Sequence, residues 1–251
     1  MAFFFLIFNQ FPFFIAIKIL LIESMRRLFD RYAQLGYAAG GEDRLVSSIF
    51  PTPGFYVDVG CNHPTNYSNT FMLYKRGWHG INIDANAALI EMHKRIKPKD
   101  QSIFAAVAQH QQTLTYTEFE GETAMASLDP EFVRARLASG MRIGTELIMK
   151  TKTLTEILVQ LGAPNRFELL NVDVEGLDLE VLRSLDFARF RPQMIIVEIL
   201  GFDLENHRAE PIFEYLSAVD YRLAGYTHMN AVFMDRKVHG TDEKNELNRV
   251  T

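Results

Sequence analysis

Residues 55–64, FYVDVGCNHP, run from a β-branched and aromatic stretch onto an acid, Asp58, and then through Gly60 into a polar turn. A second apolar run, GINID, closes on another acid, Asp84. These two strings constrain the chain more than anything else in it. Short apolar runs of this kind read as strands buried on both faces, which belong to parallel sheets. An open parallel sheet delivers its strand ends to one crevice, and ligands bind there. A carboxylate at the second strand end commonly accepts hydrogen bonds from ribose hydroxyls, while a glycine lets backbone approach a ligand with no Cβ between them. The pair of strand ends therefore predicts an adenosine pocket.

From Phe55 onward, such runs alternate with segments of helical period. Strands are predicted at 55–59, 80–84, 102–108, 167–174 and 193–199, and helices at 66–76, 86–96, 155–161 and 177–185. That alternation gives a parallel sheet with helices on both faces, and MIIVEIL, 194–200, is apolar enough for a central strand. A longer insert occupies 111–152. In it TLTYTEF alternates like an extra edge strand, GETAMASLDPEF reads as a loop, a helical pattern surrounds 132–138, and ELIMKTKT reads as a strand. An excursion of this length above the carboxyl edge predicts a lid or substrate loop. A helix near 211–219 and two runs, YRLAGYTH and AVFMDR, predict a closing antiparallel hairpin at a sheet edge. The expected fold is α/β, a Rossmann-like doubly wound sheet, mostly parallel, over residues 54–238. Residues 25–53 would form a helical lead-in and 239–251 a polar tail that frays.

A chain of 251 residues, 48% of them hydrophobic, suffices for one such domain. The net charge of −5 lacks the basic footprint that nucleic acid requires, so no nucleic-acid partner is expected. The one cysteine, Cys61, admits no intrachain disulfide and no zinc cluster, as in a reducing compartment, and the domain is expected in the cytoplasm. Residues 1–22, MAFFFLIFNQFPFFIAIKILLI, raise a membrane question. A spanning helix needs about 20 apolar residues, but Asn9, Gln10, Pro12 and Lys18 interrupt this stretch. The positive start and small-residue cleavage site of a signal peptide are also absent. Residues 1–24 keep two readings, a membrane-associating segment or an extension upstream of a true start at Met25. Arg26 and Arg27 would hold an inserted chain at the inner face. The oligomeric state is not legible.

Four strings go beyond a generic α/β chain: GFYVDVGCNHPTNYSNT at 54–70, LYKRGWHGINID at 73–84, TKTLTEIL at 151–158, and FELLNVDVEGLDLEVLRSLD with RPQMIIVE within 167–198. In this order they resemble the FkbM-type methyltransferases, which are class I S-adenosylmethionine-dependent enzymes. The resemblance implies S-adenosylmethionine as methyl donor and transfer typically to an oxygen of a sugar or natural product. Position by position it implies Asp58, Gly60 and Asn62 in the first donor loop, Asp84 on the ribose, and Ala106 and Val107 beside the adenine. Asp173 and Glu175 would face the methyl end. The chain departs from the family where Cys61 replaces the common alanine and where Asn62-His63-Pro64 lacks a second glycine. Neither change puts charge or bulk into the pocket.

Methyl transfer from a sulfonium is an in-line displacement, so the protein must hold the acceptor oxygen against the methyl carbon. A hydroxyl acceptor gains from a carboxylate or histidine that takes its proton. Glu175 is the leading candidate base. Capping of the following helix is an equal reading, because first-turn carboxylates favour the positive end of the helix dipole. Asp173 would hold the donor's amino group or a polar substrate group, or else bond to loop amides. His63 is either a base toward the acceptor or a loop histidine bonded to backbone; His228 is a weaker candidate, and Glu198 ends the fifth strand at the same edge. Cys61 reads as a small buried residue. Asp173, Glu175 and Asp178 could offer oxygens to Mg²⁺, yet helix-start acids occur for capping alone, and no metal is expected. Two alternatives remain. An NAD-dependent dehydrogenase also keeps an acid at the second strand end, but needs G-x-G-x-x-G for its pyrophosphate, and GCNHPTN has only the first glycine. A non-catalytic donor-binding partner in glycan assembly would have been favoured by loss of Asp58 or Asp84, and both are present.

Overall fold

The computed structural model describes residues 36–227 and 229–239, with positions 13, 14, 17, 18, 20 and 21. Two compact units, Met1–Gly36 and Tyr37–Thr251, divide the chain. In the first unit the six described positions before Gly36 are helical. Among the described residues no helix is long and apolar enough to cross a membrane. Most of the 1–24 segment, most of the 239–251 tail, and His228 lie outside the described residues.

The second unit begins with α1 (Glu42–Ile49), β1 (Phe55–Val59), α2 (Phe71–Lys75), β2 (His79–Asp84), α3 (Ala87–Ile96), β3 (Gln101–Phe104) and β4 (Ala106–Val107). It continues through β5 (Thr113–Phe119), β6 (Glu122–Ser127), α4 (Pro130–Ala138), β7 (Ile143–Lys152), α5 (Leu154–Gln160), β8 (Arg166–Val172), α6 (Asp178–Arg183) and β9 (Arg191–Glu198). A 3-10 turn, α7 (Pro211–Ala218), β10 (Tyr221–Thr227), β11 (Asn230–Asp235) and α8 (Arg236–His239) close it. Seven strands make one sheet in the order β10-β11-β9-β8-β1-β2-β3. The pairings β1 with β2 and β8, β2 with β3, and β8 with β9 are parallel, while β11 is antiparallel to β9 and β10. This is the expected mostly parallel sheet with an antiparallel C-terminal hairpin. Chain order reverses between β1 and β8, and a parallel sheet opens its ligand crevice at such a point.

Strand alternation builds the two faces. Val57, Val59, Leu170 and Val172 point to one side, against Leu154, Ile157 and Leu158 of α5 and Val181 and Leu182 of α6. Tyr56, Leu169, Met194 and Ile196 point to the other, against Val46, Leu73 and Trp78. Each such side chain contributes roughly 1.5–3 kcal/mol by leaving water, so both helical layers are held by burial. Local signals set the helix starts. Asn86 caps α3 by accepting from the Leu89 N–H at 3.0 Å, Thr153 and Glu156 form a capping box on α5, and Asp129 caps α4 ahead of Pro130.

Four expectations are corrected. The helix predicted at 66–76 is only α2, because Ser68 and Thr70 bond locally: the Phe71 N–H donates to Ser68 Oγ at 3.1 Å, and Thr70 turns its hydroxyl to Asp58. The strand predicted at 102–108 breaks at Ala105, whose N–H donates to the Asp84 carbonyl at 2.9 Å, and β4 then joins a different sheet. That sheet, β4-β7-β5-β6, pairs the two strands expected in the insert, now β5 and β7, with each other and adds β4 and β6 at its edges. Its β6 forms from the stretch read as a loop, turning back on β5 through Gly121 at φ +75°. The strand predicted to reach 174 ends at Val172. The Asp173 N–H still donates to Val59 O at 2.9 Å, but Glu175 adopts φ +54° and turns the chain out of the sheet.

Candidate active site

The reversal between β1 and β8 opens a cavity of about 420 Å³ at the carboxyl edge, a usual size for a small-molecule site. At its base Gly60 sits at φ +74°, and a Cβ there would lie 1.7 Å from the Asp173 carbonyl oxygen. Only glycine lets the β1 loop cross the end of β8 this closely. The Gly60 and Cys61 N–H groups donate to Ile83 O at 2.9 and 3.2 Å. Asn62, at φ +41°, is fixed from three sides. Its N–H donates to Asp84 Oδ2 at 2.8 Å, its carbonyl accepts from His93 Nε2 at 2.9 Å, and its Oδ1 accepts from the Thr123 hydroxyl at 3.2 Å. Asp84 also accepts the Asn86 N–H on Oδ1 at 2.8 Å. Each carboxylate oxygen can accept a second hydrogen bond. Burial pushes this carboxyl up to about 6, against the two amides that hold it down.

Asp58 lines the same cavity but is anchored in its floor. Its Oδ2 accepts from the Thr70 hydroxyl at 2.5 Å and its Oδ1 from the Asn171 amide at 2.9 Å, while Asn171 accepts in turn from Asn69 at 2.9 Å. Beneath them the buried Lys97 donates to Thr70 Oγ1 at 2.7 Å and to Asn82 Oδ1 at 3.3 Å. Burial lowers the Lys97 pKa, with Asp58 the largest opposing influence. Ala106 and Val107 are buried in the wall beyond Asp84, next to Tyr116. Cys61 is buried, and burial with the neighbouring Asp84 and Asp58 pushes its thiol well up, away from reactivity.

His63 is not brought to the cavity wall. Its Nδ1 accepts from the Asn66 and Thr65 N–H groups at 3.0 and 3.2 Å, which fixes the turn and leaves the ring proton on Nε2.

The opposite end of the cavity is acidic. One carboxylate oxygen each of Asp173, Glu175 and Glu198 lie within 4.8 Å of one another. Among the described residues no lysine or arginine forms an ion pair with them. Burial is the largest cause that raises all three: Asp173 goes well above the usual carboxylate range, with repulsion from Glu198, Asp178 and Glu175 adding to it; Glu175 goes to about 8, with Glu198 adding and Arg136 opposing; and Glu198 goes to about 7, with Asp178 adding and Arg136 opposing. The acid that serves the loop before α6 is Asp178, whose oxygens accept the Val174 and Gly176 N–H groups at 3.1 and 3.2 Å. Glu175 is tied by its backbone instead, its carbonyl accepting from Ser127 Oγ at 2.6 Å.

Sequence reasoning missed His93, Lys97, Thr123 and Asn171. His93 falls on the buried face of α3 with Leu89, Ile90 and Ile96, so its spacing resembles that of a core residue. Burial pushes it down to about 3, and its Nδ1 has no partner. Neutral, with its proton on Nε2, it holds the Asn62 carbonyl.

A parallel sheet closed by an antiparallel hairpin, an acid at the second strand end and a single glycine in the first loop together define a class I S-adenosylmethionine-dependent methyltransferase. The chain belongs to the FkbM methyltransferase family: the model described as the methyltransferase FkbM domain matches residues 58–223. The dehydrogenase alternative is thereby set aside. Among solved structures the chain is similar to a TehB-like S-adenosylmethionine-dependent methyltransferase from Corynebacterium glutamicum, with 13% identity, 86% of this chain and 96% of that one covered, and a TM-score of 0.43. It is also similar to 1,6-didemethyltoxoflavin-N1-methyltransferase from Burkholderia thailandensis, with 10% identity, coverage of 86% and 85%, and a TM-score of 0.41. Monomeric WbdD follows at 14% identity, coverage of 77% and 39%, and a TM-score of 0.36. No curated protein matches the chain.

Proposed function

We propose that the chain transfers a methyl group to a hydroxyl oxygen of a sugar, glycan or natural product. The observation that carries this reading is the polarity of one cavity: a carboxylate anchored by two amides at the β2 end, and three clustered acids at the β8 and β9 ends with no ion pair to a lysine or arginine among the described residues. The residues present fit the donor. Asp84 would take the ribose hydroxyls, Ala106 and Val107 would flank the adenine, and the backbone of Gly60, Cys61 and Asn62 would lie against the ligand where no Cβ intervenes. Asp58 supports that loop from the floor through Thr70 and Asn171.

When bound, S-adenosylmethionine supplies a methyl group carried on a positively charged sulfur. Glu175 would receive the proton of the acceptor hydroxyl as that oxygen is alkylated. A carboxyl near pH 8 is matched to this role around neutrality, since a base works best with a pKa close to the working pH. Asp173 and Glu198 would orient polar groups of the acceptor or the donor's amino group. The hairpin of β5 and β6 lines the cavity through residues 122–127, where it would shield the reacting atoms from water. The catalytic domain is proposed to span 54–238 and to work in the cytoplasm, at the inner membrane face if residues 1–22 associate with lipid.

Transfer of a labelled methyl group to panels of glycans, lipids and small metabolites tests the reading. The expected product is an alkali-stable methyl ether. Label recovered only as an alkali-labile ester or as an N-methyl group would overturn it.

A further inference from the structure

We propose that Asp173, Glu175 and Glu198, joined by the side-chain carbonyl of Asn230, form a binding site for a hard divalent cation such as Mg²⁺ or Mn²⁺ at the acidic end of the cavity. The three carboxylate oxygens lie within 4.8 Å of one another. Oxygens around one such ion, at roughly 2.0–2.5 Å from it, are separated by about 3 Å when adjacent and by up to about 5 Å when opposite. The acids converge from two separate strand ends, so the arrangement does not follow from one loop.

A cluster of acids alone would not make a site. Here a second observation lies outside the acidic loop, on β9 and β11. Glu198 is only 8% exposed and lines the cavity, and among the described residues none donates a hydrogen bond to its carboxylate. Asn230 stands directly opposite it in the antiparallel register, and residues so paired point to the same face of a sheet. Asn230 is likewise 8% exposed and lines the cavity. Its Nδ2 donates to Glu42 Oε1 at 2.8 Å, which fixes the orientation of the amide. The Oδ1 left over is buried with no donor. Glu198 opens on the cavity, whereas a buried amide oxygen without a donor is rare in folded proteins and calls for a partner. Among the described residues no donor completes it, and oxygen-only ligands of this kind select hard cations. Asp178 is not a ligand, because the Val174 and Gly176 amides occupy both its oxygens.

For its part in transfer, though not for ion binding itself, this inference rests on the acidic end being the acceptor site. An ion there would hold the acceptor oxygen and make its proton easier to remove. Glu175 offers the ion one oxygen and keeps the other for that proton.

The test is Mn²⁺ binding to the EDTA-treated, full-length protein, followed by loss of the free-ion electron paramagnetic resonance signal without donor or acceptor. One saturable equivalent displaced by Mg²⁺ is expected. Glu198→Gln should weaken it at least tenfold, and Asn230→Leu should weaken it several-fold, with a cooperative thermal unfolding transition reporting that each variant is folded. No saturable Mn²⁺ binding, or binding that both variants retain at full affinity, would overturn the ion site. Methyl-ether formation that persists in excess EDTA would overturn the ion's part in transfer while leaving the proposed O-methylation intact.

Discussion

Lowering the pH from 7 to 5 should weaken the binding of adenosine about tenfold through Asp84. In the empty site burial places this carboxyl at about 6, so roughly nine-tenths of the molecules carry it ionised at pH 7 and about one-tenth at pH 5. Ribose hydroxyls donate to the ionised form, and an apparent dissociation constant rises as the competent fraction falls. The ratio of the two fractions is about ten, or about 1.4 kcal/mol. The sign is opposite for the stability of the empty protein. A folded pKa raised above the unfolded value of about 3.9 means that the folded chain holds this proton more tightly. Asp84 therefore costs stability progressively as pH rises from about 4 through 6, up to about 3 kcal/mol. Calorimetric titration at pH 5, 6 and 7 measures the effect, and adenosine is the right probe because it carries the ribose without the amino-acid end that would report on Asp173 and Glu198. Asp84→Asn should bind about 1–3 kcal/mol more weakly at pH 7 and lose the slope. A wild-type affinity flat between pH 5 and 7, or an equal slope in Asp84→Asn, would refute the reasoning.

Glu175→Gln should keep its affinity for S-adenosylhomocysteine and lose about 10²–10⁴-fold in turnover, the usual contribution of a positioned base; unchanged turnover in the labelled-methyl assay removes Glu175 from that role. Gly60→Ala places a Cβ 1.7 Å from Asp173 O at a positive φ and should cost more than about 2 kcal/mol in chemical denaturation, so a wild-type midpoint would show that the crossing is looser than described. His93→Leu removes the donor to the Asn62 carbonyl and should weaken S-adenosylhomocysteine binding by about 1–3 kcal/mol. Equal affinity in the same titration would free the loop from His93.

The strands that frame the donor end were legible because each is a short apolar run that closes on an acid, and Asp84 sits where that pattern places it. The parallel order followed from alternation with helices. The second sheet was not legible. Whether residues 106–107 continue a strand or leave it depends on pairing with Thr151 and Lys152, some 45 positions away, and no local propensity encodes that. The choice between Glu175 and Asp178 as the loop-fixing acid turns on a left-handed φ at Glu175, which a glutamate gives no local reason to expect. Asn230 and Glu198 meet only through the β9 to β11 register. Lys97 and His93 carried no local signal of a site, because their partners come from residues 62, 70 and 82.

The chain of Asn82, Lys97, Thr70, Asp58 and Asn171 locks the floor to three strands, whereas the β5 to β6 hairpin above it meets the Asn62 loop through the Thr123 hydroxyl and the acidic loop through Ser127. The two halves of the cavity are thus tied with unequal strength. On the proposed reading, a graft of that hairpin from another member of the family would spare the floor, provided a hydroxyl is kept at position 123, so new acceptor preferences can arise by exchanging the ceiling of the room and not its foundations.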